Sequence, residues 1–430
     1  MSLRFFGGPA GSGKTTRLME EVAIVIKEKP LQEHQKVLAI TKIHGSRRRL
    51  HSRLATIPEL CRRFDCMTAD SYARRLLGRW CSLARIRFGN VPSIDDHDEY
   101  CRRAANLLTE EFVSQWVIQT YPIVIVDEMQ DSKGGQLGMF QVLASSATCL
   151  AAADDFQDLE ADEENEAVLW ARENGEIVPL QKIHRFDNIP GLLHAAHAIR
   201  EGKKIANGEG FEIVCAPKAQ LGAWHVSKHI TKWKKDGSIA IITPTGADRS
   251  TFVRDLIARV ESAPLGKEWK YGPHSVPWEL SQQAAFTEFL EELGLPDNPD
   301  EQICVDQLKL DATDGPPFAL ARWFARQRKI SAKTKFTVAE IRAQVSLIQQ
   351  QTRAFGHSWE RQVCAMTVHQ AKNREFDSVI LLWPFQIQGS KERHSRLLYN
   401  AITRAKKQAI VVVQDPKNNR LESPPFTPAL

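Results

Sequence analysis

The sequence lacks any apolar run long enough to cross a membrane, because no stretch of about 18 consecutive apolar residues occurs in it. Its first residues, Met1 to Phe6, also lack the basic, apolar and small-residue segments of a signal peptide. We therefore expect a cytoplasmic protein with no membrane partner.

Cysteine pairs with zinc-site spacing are also missing. The 8 cysteines are scattered and none forms a C-x-x-C pair. Four of them lie between Cys61 and Cys101, which leaves an iron–sulfur cluster open as an alternative. Buried, reduced thiols are the favoured interpretation.

The remaining composition is that of an ordinary globular protein. The 430 residues suffice for two or three domains, with 43% hydrophobic and 25% charged residues. The net charge is +5, and basic residues cluster in several runs. These runs are Arg47–Arg49, Arg62–Arg63, Arg74–Arg75, Lys232–Lys235 and Arg322–Lys329. Each run alone is typical of a solvated face, but together they permit a nucleic-acid partner.

Strand-like and helix-like segments alternate, which predicts an α/β fold with mostly parallel sheets. The two α/β modules are expected to span residues 1–175 and 176–430, with the strand Ile177 to Leu180 opening the second set. A helical insertion is predicted at about 76–118 and a proline-rich insertion at about 262–356.

A phosphate-binding loop is the strongest local signal. The segment from Gly8 to Thr15 matches G-x-x-x-x-G-K-[ST], follows a predicted strand and opens a predicted helix. Converging backbone N–H groups at a helix start bind phosphate, so we expect Mg²⁺-ATP here. The expected nucleotide-binding residues of this loop are Gly8, Pro9, Ala10, Gly11, Ser12, Gly13, Lys14, Thr15 and Thr16.

A strand that is followed by two carboxylates completes the predicted phosphate site. The β-branched run Ile123 to Val126 leads into Asp127 and Glu128. Asp127, together with Thr15, is placed to hold Mg²⁺. Glu128 is expected to act as the general base for the attacking water.

Several further segments, in the same order along the chain, resemble the motifs of the superfamily 1A helicases, the class of the UvrD, Rep and PcrA proteins. Thr367 to Phe376 resembles T-x-H-x-x-K-G-x-E-F, and Arg396 to Lys406 resembles L-L-Y-V-A-x-T-R-A. The other matching segments are Leu38–Thr41, Thr68–Tyr72, Asp127–Asp131, Ala153–Gln157 and Leu180–Arg185.

The resemblance implies two RecA-like domains with ATP between them. Gln157 is then expected to sense the γ-phosphate, while Arg185 and Arg404 reach it from the second domain. Glu375 is expected at the ribose, and His184 occupies the place of the family's base-stacking tyrosine. The positions expected to contact nucleic acid are Thr41, Thr68, Tyr72, Thr367 and His369, although His369 is also compatible with a packed core histidine.

The resemblance also implies the function, an ATP-dependent DNA helicase or translocase that moves on single-stranded DNA. Some departures favour weak autonomous unwinding: the insertions are short, and no aromatic residue follows Gln157 closely. The alternative is an ATPase switch or sensor subunit that regulates a partner, such as a nuclease in DNA repair or phage defence.

Overall fold

The computed structural model describes residues 2–428 except 43, 90–95, 160–164, 181, 187, 247–249, 267, 280–288, 309, 311–314, 356–361 and 418. The chain forms two compact units. The first comprises Met1–Pro277 with Gln362–Leu430, and the second comprises Trp278–Arg361.

The first unit begins with a parallel sheet of six strands. They are β1 (Ser2–Gly7), β2 (Val37–Thr41), β3 (Phe64–Thr68), β4 (Ile123–Val126), β5 (Thr148–Ala153) and β6 (Glu176–Pro179). Their order across the sheet is β3-β2-β4-β5-β1-β6, and every pairing is parallel. The central strands read as unbroken apolar runs because helices cover both faces of the sheet.

Eight helices accompany this sheet in the described residues. They are α1 (Lys14–Glu28), α2 (His44–Leu54), α3 (Ala69–Arg79), α4 (Cys81–Phe88), α5 (His97–Leu108), α6 (Glu111–Thr120), α7 (Gly134–Ser146) and α8 (Glu166–Asn174). The predicted helical insertion falls on α3 to α6, where the described residues between β3 and β4 contain no strand.

The remaining strands are β7 (Phe211–Cys215), β8 (Ile239–Thr243), β9 (Gln302–Cys304), β10 (Lys335–Thr337), β11 (Val363–Thr367), β12 (Phe376–Trp383) and β13 (Ala405–Val413). A second parallel sheet in the first unit has the order β11-β8-β12-β13-β7. The helices that follow α8 are α9 (Pro190–Arg200), α10 (Ala219–Trp233), α11 (Thr251–Ser262), α12 (Gly315–Ser331), α13 (Val338–Phe355), α14 (Val368–Ala371) and α15 (Lys391–Ile402). None of the helices in the described ranges is both long and apolar enough to cross a membrane.

Two large parallel sheets confirm the predicted α/β fold. One strand is assigned differently: β6 pairs with β1 in the first sheet, through the register Phe5 to Ile177. The prediction that this strand opens the second set is therefore wrong. Its apolar pattern identifies a strand, but the partner depends on a crossover that the local sequence does not encode. The predicted limits of the two modules stay a prediction.

The second unit has its own small core. Its strands β9 and β10 form an antiparallel pair, and α12 packs against α13. Three aromatic rings, Trp323, Phe324 and Phe336, meet at centroid distances of 4.9–5.0 Å. Trp323 of the basic run Arg322–Lys329 thus contributes to a core.

Buried histidines predict a loss of stability at mildly acidic pH. Burial lowers the pKa of the imidazoles of His225, His229 and His274. Because these pKa values are lower in the folded than in the unfolded chain, the unfolded chain binds more protons as the pH falls through about 6.5. The free energy of unfolding should therefore decrease between pH 7.5 and 5.5. Urea unfolding midpoints measured across this range check it, and His229→Gln should make the dependence shallower. A midpoint that is constant or rises towards pH 5.5 would contradict the prediction.

Candidate active site

The phosphate-binding loop lies between β1 and α1, as the sequence predicts. Gly11 and Gly13 have φ angles of 78° and 82°, a left-handed backbone that glycine adopts without strain. A Cβ atom at Gly11 would lie 2.5 Å from the Cβ of Arg185, so this glycine also permits close approach of the segment after β6. The backbone N–H of His184 donates a hydrogen bond to the carbonyl of Gly11 at 2.9 Å. The loop is therefore held against the residues that enter the second module.

Lys14 begins α1 with its ammonium group directed back over the loop. Its Nζ donates to the carbonyl oxygens of Gly8 and Pro9, both at 2.9 Å. The same atom lies 3.8 Å from Oδ2 of the buried Asp154. A cation held among these backbone groups is suited to meet the phosphates of a nucleotide.

A cavity of about 370 Å³ opens above this loop, and it collects side chains from both modules. The sequence-predicted residues that line it are Ala10, Gly11, Gly13, Lys14, Thr15, Thr16, Asp127, Glu128, Gln157, His184, Arg185, Glu375 and Arg404. Gly8, Pro9 and Ser12 of the loop do not line it. The cavity thus joins all four predicted catalytic residues to most of the predicted nucleotide-binding residues.

Thr15 and Asp127 bring two hard oxygen donors together at this cavity. Thr15 Oγ1 lies 3.4 Å from Asp127 Oδ2. Burial and the neighbouring Glu128 raise the pKa of Asp127 to about 6. A hydroxyl and a carboxylate beside a phosphate-binding loop fit Mg²⁺, which takes oxygen ligands and substrate phosphates. When bound, the ion would neutralise phosphate charge.

Glu128 is an ionised carboxylate in a strained turn. Its φ of 58° lies in the left-handed region, which is uncommon for residues other than glycine and is often found at functional sites. Burial alone would raise its pKa, but Lys14, Lys372 and a hydrogen bond from Gln130 together lower it. The Gln130 amide donates to Glu128 Oε2 at 2.6 Å. Glu128 can therefore accept a proton at neutral pH.

Arg185 and Arg404 approach the cavity from the second module. Arg404 lies in the connection between α15 and β13, because the helix ends at Ile402. Its Nε donates to the carbonyl of Asn400 at 2.9 Å, and the Arg185 guanidinium donates to the carbonyl of Thr403 at 2.9 Å. Two backbone carbonyls, one in the last turn of α15 and one directly after it, therefore orient the two arginines.

Charge at this arginine pair is only partly compensated. Burial and the nearby Arg185 lower the pKa of Arg404 to about 10, so the guanidinium stays charged at neutral pH. Arg185 forms an ion pair with Glu375, the residue expected at the ribose. Two cations facing a cavity favour an anionic ligand such as a triphosphate.

Several contacts connect the second module directly to the first. The backbone N–H of Ala10 donates to the Tyr399 hydroxyl at 2.8 Å, and the Asn400 amide donates to the carbonyl of Phe156 at 3.1 Å. Lys372 forms a buried ion pair with Asp131. Movement of α15 would therefore displace the phosphate loop and the turn that carries Gln157.

Arg200 in α9 makes a further connection that the sequence motifs do not indicate. Its guanidinium donates to Asp154 Oδ1 at 2.6 Å and to Asp155 Oδ1 at 3.0 Å. It also lies 5.1 Å from the ring centroid of Phe156. These three residues immediately precede Gln157, so Arg200 holds the turn that positions Gln157 in the cavity.

We expect Arg200→Ala to reduce kcat for ATP hydrolysis by about a hundredfold, because small displacements of catalytic groups cost that much. KM for ATP should stay within about twofold, since Arg200 does not line the cavity. Arg172→Ala is the matched control, because Arg172 contacts the same Asp155 from α8 at 3.4 Å. Arg200→Lys should partly restore the rate. Equal rates for the two alanine variants would contradict a positioning role.

Sequence reasoning missed four residues of the cavity, which are Ser46, Arg49, Arg53 and Asn373. Arg49 is the last residue of the basic run Arg47–Arg49, which the sequence alone indicates as a solvated face, and Arg53 lies one helical turn further on. The i, i+3, i+7 spacing of Ser46, Arg49 and Arg53 on α2 was the available signal. Asn373 has a φ of 63° and stands where the family pattern has glycine, a left-handed position that asparagine tolerates.

The positions expected to contact nucleic acid do not meet at the cavity. Thr41, Thr68 and Tyr72 are all below 5% exposed, and Tyr72 packs in the core of the first module. Thr68 and Thr367 cap the N-termini of α3 and α14. The buried ring of Tyr72 is on the apolar face of α3, which excludes it as a stacking platform in this conformation. His369, by contrast, is exposed.

Comparison with known proteins finds a similarity to one family in the last part of the chain. Residues 362–412 match the model of the UvrD-like helicase C-terminal domain. No curated protein matches the sequence. Among solved structures, the crystal structure of the arterivirus nonstructural protein 10 helicase aligns at 12% identity and a TM-score of 0.40. The alignment covers 98% of this chain and 62% of that one.

A complex of the same arterivirus helicase with DNA aligns at 12% identity and a TM-score of 0.39, covering 97% of this chain and 62% of that one. The chain therefore spans less than two thirds of the length of these helicases. The family match falls on β11 to β13, which supply Asn373, Glu375 and Arg404 to the cavity. Residues 362–412 are thus similar to the UvrD-like helicase C-terminal domain, in agreement with the resemblance to superfamily 1 helicases.

Proposed function

We propose that the protein is an ATP-dependent helicase or translocase that hydrolyses ATP in the cleft between its two parallel-sheet modules and moves on single-stranded DNA. One observation carries the proposal: Lys14, Glu128, Gln157, Arg185 and Arg404 line a single cavity although they come from both modules.

The chemistry follows from the positions of these groups. Lys14 and the loop N–H groups bind the phosphates, and Glu128 takes a proton from the attacking water. Gln157 orients this water or contacts the γ-phosphate. Arg185 and Arg404 stabilise the charge that develops on the transferred phosphoryl group.

The contacts across the cleft supply a route from hydrolysis to motion. Because Tyr399 and Asn400 touch the first module while Arg404 faces the cavity, a change at the γ-phosphate alters the docking of α15. Cyclic opening and closing of the modules would then advance the protein along a strand.

Streptavidin displacement tests this function. Biotinylated dT60 carrying streptavidin at either the 3′ or the 5′ end is incubated with the protein and ATP. We expect ATP-dependent displacement from one end, and none with Lys14→Ala. If streptavidin is displaced from neither end and DNA does not change the rate of ATP hydrolysis, translocation is contradicted.

The second candidate is an ATPase switch that regulates a partner such as a nuclease. It is favoured by the burial of Thr41, Thr68 and Tyr72, which removes three expected nucleic-acid contacts. Affinity capture of the full chain from native cells, with ATP or with ADP, tests this candidate. A nuclease that co-purifies and changes activity with the bound nucleotide would support it, and recovery of the chain alone would contradict it.

A further inference from the structure

An aromatic and basic surface lies on α10 and the hairpin after α11, separate from the cavity. We call it the aromatic–lysine surface, and it consists of Trp224, Lys228, Lys232, Lys234, Lys235, Trp269, Lys270 and Tyr271. None of these residues lines the cavity of the candidate active site. The surface therefore needs an explanation other than ATP binding.

The hairpin that carries part of this surface is firmly anchored. Leu265 and Tyr271 exchange backbone hydrogen bonds at 2.8 and 2.9 Å. The backbone N–H of His274 donates to the carbonyl of Val260 in α11 at 3.0 Å. His274 Nε2 also lies 3.0 Å from Thr231 Oγ1 in α10. The hairpin is thus tied to both helices, and the ring of Tyr271 packs beside Trp224 of α10.

The rings of the surface form an ordered group with one freely accessible member. Trp224 and Tyr271 meet edge to face at 6.3 Å, and Lys228 Nζ lies 5.2 Å from the Trp224 ring centroid. Trp269 is 75% exposed, and it is the one exposed tryptophan among those that the structure describes. The Trp269 ring is therefore available for stacking beside the Trp224–Tyr271 pair and the lysines of the surface.

The charge of the surface calls for a polyanion. Trp224, Lys228 and Lys232 are spaced four residues apart, so they share one face of α10. The surface carries the five lysines Lys228, Lys232, Lys234, Lys235 and Lys270, and within the described part of the chain none of their ammonium groups is in an ion pair. Opposite charge nearby comes from Asp236, Glu268 and Glu261 in the adjoining sequence and from Glu212, which lies 3.4 Å from His229 of α10.

The sequence alone indicates the C-terminal end of α10 through a different aromatic residue. The run from Lys232 to Lys235 contains Trp233, which looks like an aromatic interleaved with lysines. In the structure Trp233 is 5% exposed, and its ring lies 4.7 Å from that of His229. The rings of the surface come instead from Trp224, more than two helical turns earlier, and from the hairpin, so the surface exists only in the folded chain.

We propose that the aromatic–lysine surface is a second binding site for a single-stranded polynucleotide, outside the ATP cleft. Exposed bases stack on aromatic rings, and lysines along the same face neutralise the phosphates between them. Such a site is insensitive to sequence, as a motor requires of its track. The inference rests on the proposed function, because it assigns the same class of ligand to a new place.

Fluorescence anisotropy with labelled dT20 and rU20 tests the site in the full chain without nucleotide. Trp269→Ala should weaken binding about tenfold, since one stacking interaction is worth about 1–3 kcal/mol. The triple variant Lys232→Gln/Lys234→Gln/Lys235→Gln should reduce the slope of log K against log salt by about 2, at roughly 0.7 for each phosphate contact. The ratio between dT20 and rU20 affinities shows whether DNA or RNA is preferred.

Matched control variants distinguish a specific effect of this surface from the general effect of removing exposed apolar or lysine side chains. Ile86→Ala removes an apolar side chain that is 84% exposed, and Lys27→Gln/Lys29→Gln/Lys204→Gln removes three exposed lysines elsewhere. Both should bind like the wild type. The ATPase rate without nucleic acid should be unchanged in all four variants.

Three outcomes would overturn the inference. If the wild type binds dT20 and both surface variants bind equally well, the surface is not a nucleic-acid site while the proposed function stands. If Trp269→Ala abolishes binding to phosphatidylserine vesicles and leaves dT20 binding intact, the surface meets a membrane instead. If the wild type binds neither dT20 nor rU20, the proposed function fails together with the site.

Discussion

Replacing Arg404 with alanine should lower the maximal rate of ATP hydrolysis by about a thousandfold or more, with little change in ATP affinity. The guanidinium is 4% exposed and lines the cavity, and its pKa of about 10 keeps it charged. An arginine that meets the transferred phosphoryl group lowers the energy of the transition state far more than that of bound ATP. Its loss should therefore appear in kcat.

The geometry also predicts that lysine is a poor substitute at this position. Arg404 donates through Nε to the carbonyl of Asn400 and through a terminal nitrogen to Thr403 Oγ1, at 2.9 and 3.3 Å. Lysine cannot make this forked pair while also reaching a phosphate. Arg404→Lys should thus remain severely impaired.

Steady-state ATPase assays and equilibrium binding of a fluorescent ATP analogue distinguish an effect on kcat from an effect on ATP affinity. Arg254→Ala is the control, since Arg254 is an exposed arginine of the same module that pairs with the neighbouring Asp255. Circular dichroism melts verify that each variant folds. A decrease in kcat of less than tenfold for folded Arg404→Ala would show that Arg404 is not a catalytic residue.

The second large effect is expected for Glu128→Gln. The substitution keeps the size of the side chain but removes the proton acceptor, and general-base catalysis contributes about 10²–10⁴-fold. Lys14, Lys372 and Gln130 hold Glu128 ionised in spite of its burial, so the wild-type group is ready to act at neutral pH. The kcat should fall by a factor in this range.

The control for this variant is Glu176→Gln, which removes a surface carboxylate that is 68% exposed and pairs with Arg4. Rates are compared at saturating ATP and Mg²⁺, and binding of the ATP analogue is measured in parallel. ATP binding should survive in Glu128→Gln. If this variant hydrolyses ATP at more than a tenth of the wild-type rate, another group must activate the water.

The parts of the site encoded by short segments could be predicted from the sequence. Gly8 to Thr15 and Asp127 with Glu128 each combine a buried strand with the chemistry at its end, and local sequence determines both. The late motif residues Glu375 and Arg404 were found through family resemblance, because an arginine after a helix carries no local signal of its own. The structure brings them to the same cavity.

The features that sequence reasoning misplaced all depend on long-range contacts. The partner of β6 is β1, more than 170 residues earlier in the chain, and no local pattern selects it. Arg200 acts through Asp154 and Asp155, which belong to the other module. Tyr72 and Trp233 are aromatic residues beside basic ones in sequence, yet the helical period turns both rings inward. Only the folded helix shows which side of a basic run faces solvent.

The most direct measurement of the central claim is the steady-state ATPase rate with and without dT20, for the wild type and for Lys14→Ala. Lys14 lies in the phosphate loop, and its ammonium group faces the cavity. We predict a wild-type rate that rises severalfold with dT20, and no turnover by Lys14→Ala under either condition. A wild-type rate that is unchanged by dT20, or a Lys14→Ala rate equal to that of the wild type, would contradict a nucleic-acid motor driven from this cleft.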